Sequence, residues 1–147
     1  MINYFSEAEK TLRARGYLDT AIGNLTRRRE RIIAESAPSG YPSPDFSKPY
    51  ASTSAVNDAL SACLELAEVE REIAISRRTA EEVDTVLDQL EKPDALLLRL
   101  WYIERKSKDE IAEEVVYTST STIYDLRNKA VAQFALLYFG AGSLAST

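Results

Sequence analysis

Between Ala59 and Leu90, ten positions follow one another at spacings of 3 and 4 in strict alternation: Ala59, Ala62, Leu66, Val69, Ile73, Ser76, Ala80, Val83, Leu87 and Leu90. Nine of the ten are apolar. This is a heptad seam, the period that keeps one helix in register with another. The pattern predicts one unbroken helix, capped near Ser54, with a second stripe at Leu60, Leu64 and Ala67. An earlier helix is predicted from Ser6, where "SEAE" has capping-box spacing to Glu9. Its apolar positions are Phe5, Ala8, Leu12, Leu18, Ile22, Leu25 and Ile32, interrupted by Arg15 and Arg29. Folded back as an antiparallel hairpin, so interrupted a helix leaves part of the seam uncovered. Leu66, Val69, Ile73, Ala80, Val83 and Leu87 are therefore expected to meet a second copy of the chain in a homodimer.

Residues 36–53 separate the two helices and hold four of the five prolines. Proline removes a backbone donor and turns the preceding residue out of helix, so this stretch reads as a connection. Tyr41, Phe46 and Tyr50 could pin it to a neighbouring helix. After the seam, Pro93 fits the first turn of a new helix. "ALLLRLWYIE" follows, with Leu96, Leu97, Leu100, Trp101 and Ile103 expected in a core. Trp101 reads as core rather than as a stacking platform.

"SKDE" is a second capping box, Ser107 with Glu110, opening a short helix that turns Ile111 and Val115 inward. The hydroxyl-rich "YTSTST" then leads into "TIYDLRNKAVAQFALLYF". There Ile123, Leu126, Ala130, Val131, Phe134 and Leu137 are expected inward, and Gly140 ends the helix. The expected fold class is all-α: residues 1–92 form a helical hairpin with coiled-coil character, and residues 93–147 a helix-turn-helix bundle.

Charge and composition narrow the chemistry. The chain has no histidine and a single cysteine, Cys63, which reads as a small core residue. No internal disulfide and no cysteine-based zinc site can form. No phosphate-cradling glycine motif is present, and acidic pairs such as Glu81–Glu82 and Glu113–Glu114 point about 100° apart on a helix. No enzyme, metal or cofactor is expected. No membrane span or secretory signal is visible, and the expected compartment is the cytoplasm. The net charge of −5 is uneven. Residues 54–104 carry five Lys/Arg against twelve Asp/Glu, whereas residues 105–147 carry five of each. "RRRER" (27–31) reads first as a solvated helix face, with phosphate contact as the alternative.

The C-terminal pattern "LLLRLWYIERKSKDEIAEEVVYTSTSTIYDLRNKA" resembles the helix-turn-helix of sigma-factor region 4. More closely it resembles the small phage RinA/ArpU-like transcriptional regulators, with their EIA triplet, hydroxyl cap and aliphatic–Tyr pair before a late alanine. The resemblance implies duplex-DNA binding through the last helix, activation of phage genes and contact with RNA polymerase. Thr118, Ser119, Thr120, Ser121 and Thr122, at the start of that helix where the family usually carries basic residues, would meet phosphate, with Tyr124, Arg127 and Asn128 toward base edges or the groove wall. Lys106, Lys108 and Lys129 would meet the phosphate backbone. Two other readings fit the same residues: a non-catalytic helical interaction protein binding RNA polymerase or a phage protein, and a phage DNA-packaging subunit.

Overall fold

The structure, a computed structural model, describes residues 2–36, 53–115 and 120–146. It is all-α, with no strand among those residues. α1 spans Tyr4–Ser36, α2 Thr53–Gln89 and α3 Lys92–Leu98, which runs directly into a π-helical turn, Arg99–Ile103. α4 (Lys108–Glu114) and α5 (Thr120–Phe139) follow, then a 3-10 turn, Ala141–Ser146. The predicted connection at residues 36–53, with Tyr41, Phe46 and Tyr50, lies outside the described residues except at its ends.

Helix ends follow local hydrogen bonding. α1 begins before Ser6, because the Asn3 side-chain oxygen accepts the Ser6 backbone N–H at 3.1 Å. Asn3 is thus the cap that the sequence reading gave to Ser6. α2 starts at Thr53, one residue ahead of the expected cap. Pro93 sits in the first turn of α3, as expected. Gly140 ends α5 in the left-handed region at φ 84°, donating its N–H to the Leu136 carbonyl.

The chain divides into two compact units: Met1–Asp19 with Arg78–Thr147, and Thr20–Arg77. The division differs from the sequence-based one at residue 92. α4 and α5 share their unit with the first half of α1 and the end of α2.

In the smaller unit, Ile32 of α1 is buried with Val69 and Ile73 of α2, and Ile22, Leu25 and Leu66 pack around them. In the larger unit, Ala8 and Leu12 of α1 are buried with Val83 and Leu87. Ala80 is buried as well. Val69, Ile73, Ala80, Val83 and Leu87, expected at a contact with a second copy, are thus buried within one chain, whereas Leu66 is half-buried and Ala59 exposed. At 33 residues, α1 is long enough to contribute to the core of each unit. Arg15 does not interrupt the packing, because its guanidinium turns aside onto Asp84 at 2.8 and 3.0 Å. The second stripe stays outside: Leu60 and Leu64 are 57% and 64% exposed. Cys63, expected in the core, is exposed. It is one residue, about 100° of rotation, from seam position Ala62.

The stretch after Pro93 differs most from its expected pattern. Leu97 and Leu100 face one cluster, with Ile111 and Ile123. Ala95, Leu98 and Tyr102 face another, with Val131 and Phe134, and Trp101 packs against both clusters. Leu96, expected in the core, points between them and is exposed. A π turn follows Leu98: Glu104 N–H bonds the Arg99 carbonyl five residues back at 2.8 Å. The extra residue in that turn rotates all that follows and brings Tyr102 inward. α1 crosses here closely. A Cβ on Gly16 would stand 3.0 Å from the Ile103 carbonyl oxygen.

Candidate nucleic-acid interface

α4 begins as expected. Ser107 has extended backbone, and its hydroxyl accepts the Glu110 N–H at 3.3 Å. Asp109 and Glu110 in the first turn suit the positive end of the helix dipole. Ile111 and Ile123, each 1% exposed, join α4 to α5 over Leu97 and Leu100, with Ala112, Val115 and Leu126 around them. On α5, Ala130, Val131 and Phe134 are buried as expected. Leu137 is instead exposed, and Ala135 takes the inward position.

The expected DNA-contacting residues separate into distinct environments. Thr118 and Ser119 lie outside the described residues. Thr120 and Ser121 belong to the first turn of α5. Thr122, Asn128 and Lys129 are exposed on the next turns, beside Asp125. Lys106 is bound to the Glu114 carboxylate at 2.8 Å, a bond that raises its pKa. The Lys108 ammonium lies 5.1 Å from the Tyr124 ring centroid and 5.7 Å from that of Trp101. Tyr124 is half-buried and meets Trp101 edge-on, with centroids 5.3 Å apart.

Arg127 was expected to face outward and does not. Its side chain is 17% exposed, and its guanidinium lies 4.8 Å from the Trp101 ring centroid. One terminal nitrogen donates to the Tyr102 hydroxyl at 3.3 Å and lies 3.5 Å from the Glu9 carboxylate. Nε donates to Asn128 Oδ1 at 2.9 Å. Tyr102 in turn donates to Glu9 at 2.9 Å, and Arg13 reaches the same carboxylate at 3.3 Å. Burial, with the hydrogen bond to Glu9, pushes the Tyr102 phenol up to about 12. This network makes Arg127 a brace, which holds α5 through its place over the Trp101 ring and its directed donors. Sequence reading missed Glu9, Arg13 and Tyr102. Glu9 fitted a capping box, and no periodic signal links residues so distant in the chain.

The exposed groups offer donors and one or two positive charges, suited to phosphates and base edges. The exposed side of α4 is acidic, through Asp109, Glu110 and Glu113. Among the described residues no group of three His, Cys, Asp or Glu is placed to hold a metal ion, and no helix is long and apolar enough to cross a membrane.

No curated protein and no solved structure matches the chain. A family model does match, from residue 56 to 135, which takes in most of α2, all of α3 and α4, and most of α5. That is more than half of the chain, which belongs to the family described as "Protein of unknown function (DUF1492)".

Proposed function

We propose that the chain is a cytoplasmic DNA-binding transcriptional regulator of the phage type, in which the first turns of α5 enter the major groove. The observation that carries this reading is the pair α4–α5. A capped short helix is locked by Ile111 and Ile123 onto a longer one, whose first turns expose Thr122, Asn128 and Lys129. These three fall within about a third of a helical turn. A groove about 12 Å wide admits one helix, and an Asn amide can pair with adenine while Lys neutralises phosphate. Arg127 acts in this reading as a positioning residue. RNA polymerase is a further partner by the family resemblance.

Selection of bound sequences from a random duplex pool tests the proposal. Enrichment of a defined site, weakened by Asn128→Ala at particular bases and by Lys129→Ala across all sequences, is the expected result. Removing a side chain that pairs with a base edge should cost about 1–3 kcal/mol. No enrichment at low salt would favour the second reading, a non-catalytic interaction protein. The observations behind that alternative are the acidic face of α4 and the capture of Lys106 by Glu114.

A homodimer belongs to the same proposal, since paired half-sites strengthen a weak single module. Its apolar contact would be the exposed Val56, Leu60 and Leu64, one face of α2, rather than the seam.

A further inference from the structure

The smaller unit, Thr20–Arg77, has a polarity of its own. On α1, Thr20, Asn24, Arg27, Arg28 and Arg31 are all exposed, and the first carboxylate on that face is Glu35, one turn beyond Arg31. Their spacing of 4, 3 or 4, and 4 or 3 sets them in one stripe. On α2 the exposed charges are mostly acidic: Asp58, Glu65, Glu68, Glu70 and Glu72, of which Asp58 and Glu65 line a groove with Glu35 of α1. Among the described residues every ion pair falls in the larger unit. Arg13, Arg15, Arg99 and Arg127 each hold a carboxylate there. Arg27, Arg28 and Arg31 hold none; Arg27 instead donates to the Asn24 side chain. Arg27 and Arg31 also stand four residues apart, a like-charge spacing that works against the helix unless an anion lies between them.

We propose that this stripe of α1 is a second DNA-contacting surface, which binds the phosphate backbone without reading sequence. The inference rests on the reading of α5 as the sequence-specific helix. The chemistry fits. Guanidinium groups grip phosphate oxygens through paired N–H donors, and Thr and Asn add neutral donors of the kind that position a protein on a duplex. The carboxylates of α2 then bias the orientation, because DNA repels them and draws in the arginine stripe. An overall negative chain thereby binds a polyanion through one locally positive face.

The salt dependence of binding tests this. Affinity for a duplex carrying the selected site is measured by fluorescence anisotropy over a salt series, for the full chain and for the triple variant Arg27→Gln, Arg28→Gln, Arg31→Gln. Removing three phosphate-neutralising charges should flatten the slope of log K against log salt by about 2–3. The order of preferred sequences should stay the same, and circular dichroism should show no loss of thermal stability. Arg71→Gln, on α2, is the control and should leave the slope unchanged. An unaltered slope in the triple variant, with site preference intact, overturns this inference and leaves the role of α5 standing. An equal flattening by Arg71→Gln also overturns it, since net charge alone would then account for the effect. Failure of the unmodified chain to bind any duplex at low salt overturns both.

Discussion

Arg127 of α5 meets Glu9 of α1 at 3.5 Å, with both side chains more than four-fifths shielded from solvent. Arg127→Ala should leave that carboxylate with one fewer cation and the Tyr102 hydroxyl without a donor. The expected loss is about 1.5–3 kcal/mol of stability, read as a shift of the urea midpoint. Arg127→Lys should recover only part of it, because an ammonium cannot stack on Trp101 and donate to Tyr102 and Asn128 together. Any fall in DNA binding in Arg127→Ala beyond the folded fraction should appear at the bases that Asn128 contacts, since Arg127 holds the Asn128 side chain.

Alkaline pH should loosen the same network. Tyr102 titrates near 10 when unfolded and at about 12 in the fold, where its neutral form is favoured. Its contribution is complete below pH 10 and is lost as pH rises through 12. The loss is on the order of 2–3 kcal/mol. Stability followed by circular dichroism across this range should show the decline, and Tyr102→Phe should flatten it.

Two glycines on α1 should respond in opposite ways to alanine. Gly23 has only the flexible tip of Arg27 near a new Cβ, at 3.9 Å, so Gly23→Ala should gain about 0.5–1 kcal/mol from helix propensity. Gly16→Ala makes the same gain but drives a methyl against the Ile103 carbonyl. Overpacking costs about 1–3 kcal/mol, so the net effect should be destabilising, and more so for Gly16→Val. Thermal melts of the three variants give the comparison.

Ser107→Ala removes the cap of α4 and should lower stability by about 1 kcal/mol, with little effect on which DNA sequence is preferred. Chemical denaturation and the sequence selection report the two effects separately.

Leu60→Asp with Leu64→Asp should abolish self-association while leaving the melting curve nearly unchanged, since both side chains are already exposed. Light scattering on a sizing column should then give 16.4 kDa instead of a dimer mass. A monomeric mass for the unaltered chain at tens of micromolar would remove the homodimer from the proposal.

Much of this fold could be read from residue spacing, because helical burial is periodic. The seam from Ala62 to Leu90, the Ser107 cap, Pro93 and Gly140 each carry a local signal, and each has its expected structural place. The failures share another cause. Burial of the seam shows in the sequence, but the identity of the covering helix does not, since Ile22, Leu25 and Ile32 could belong to either copy. Arg15 looks like a break in a stripe until Asp84 is placed beside it. The π turn at Arg99–Ile103 has no residue signature, and so the burial of Tyr102 could not be read from spacing. For the candidate interface, Thr122, Asn128 and Lys129 could be placed outward by angle alone. The inward turn of Arg127 depends on Glu9, which no spacing rule connects to it.

Trp101 is the single tryptophan of the chain and packs against both clusters of its unit, edge-on to Tyr124 and beneath the Arg127 guanidinium. That position makes the molecule its own optical gauge. Its emission comes from one known point, with a tyrosine donor in van der Waals range and a cation over the ring. If α5 shifts away from α3 when DNA is bound, the indole parts from Tyr124 and Arg127 together, and intrinsic fluorescence will register the movement without any label.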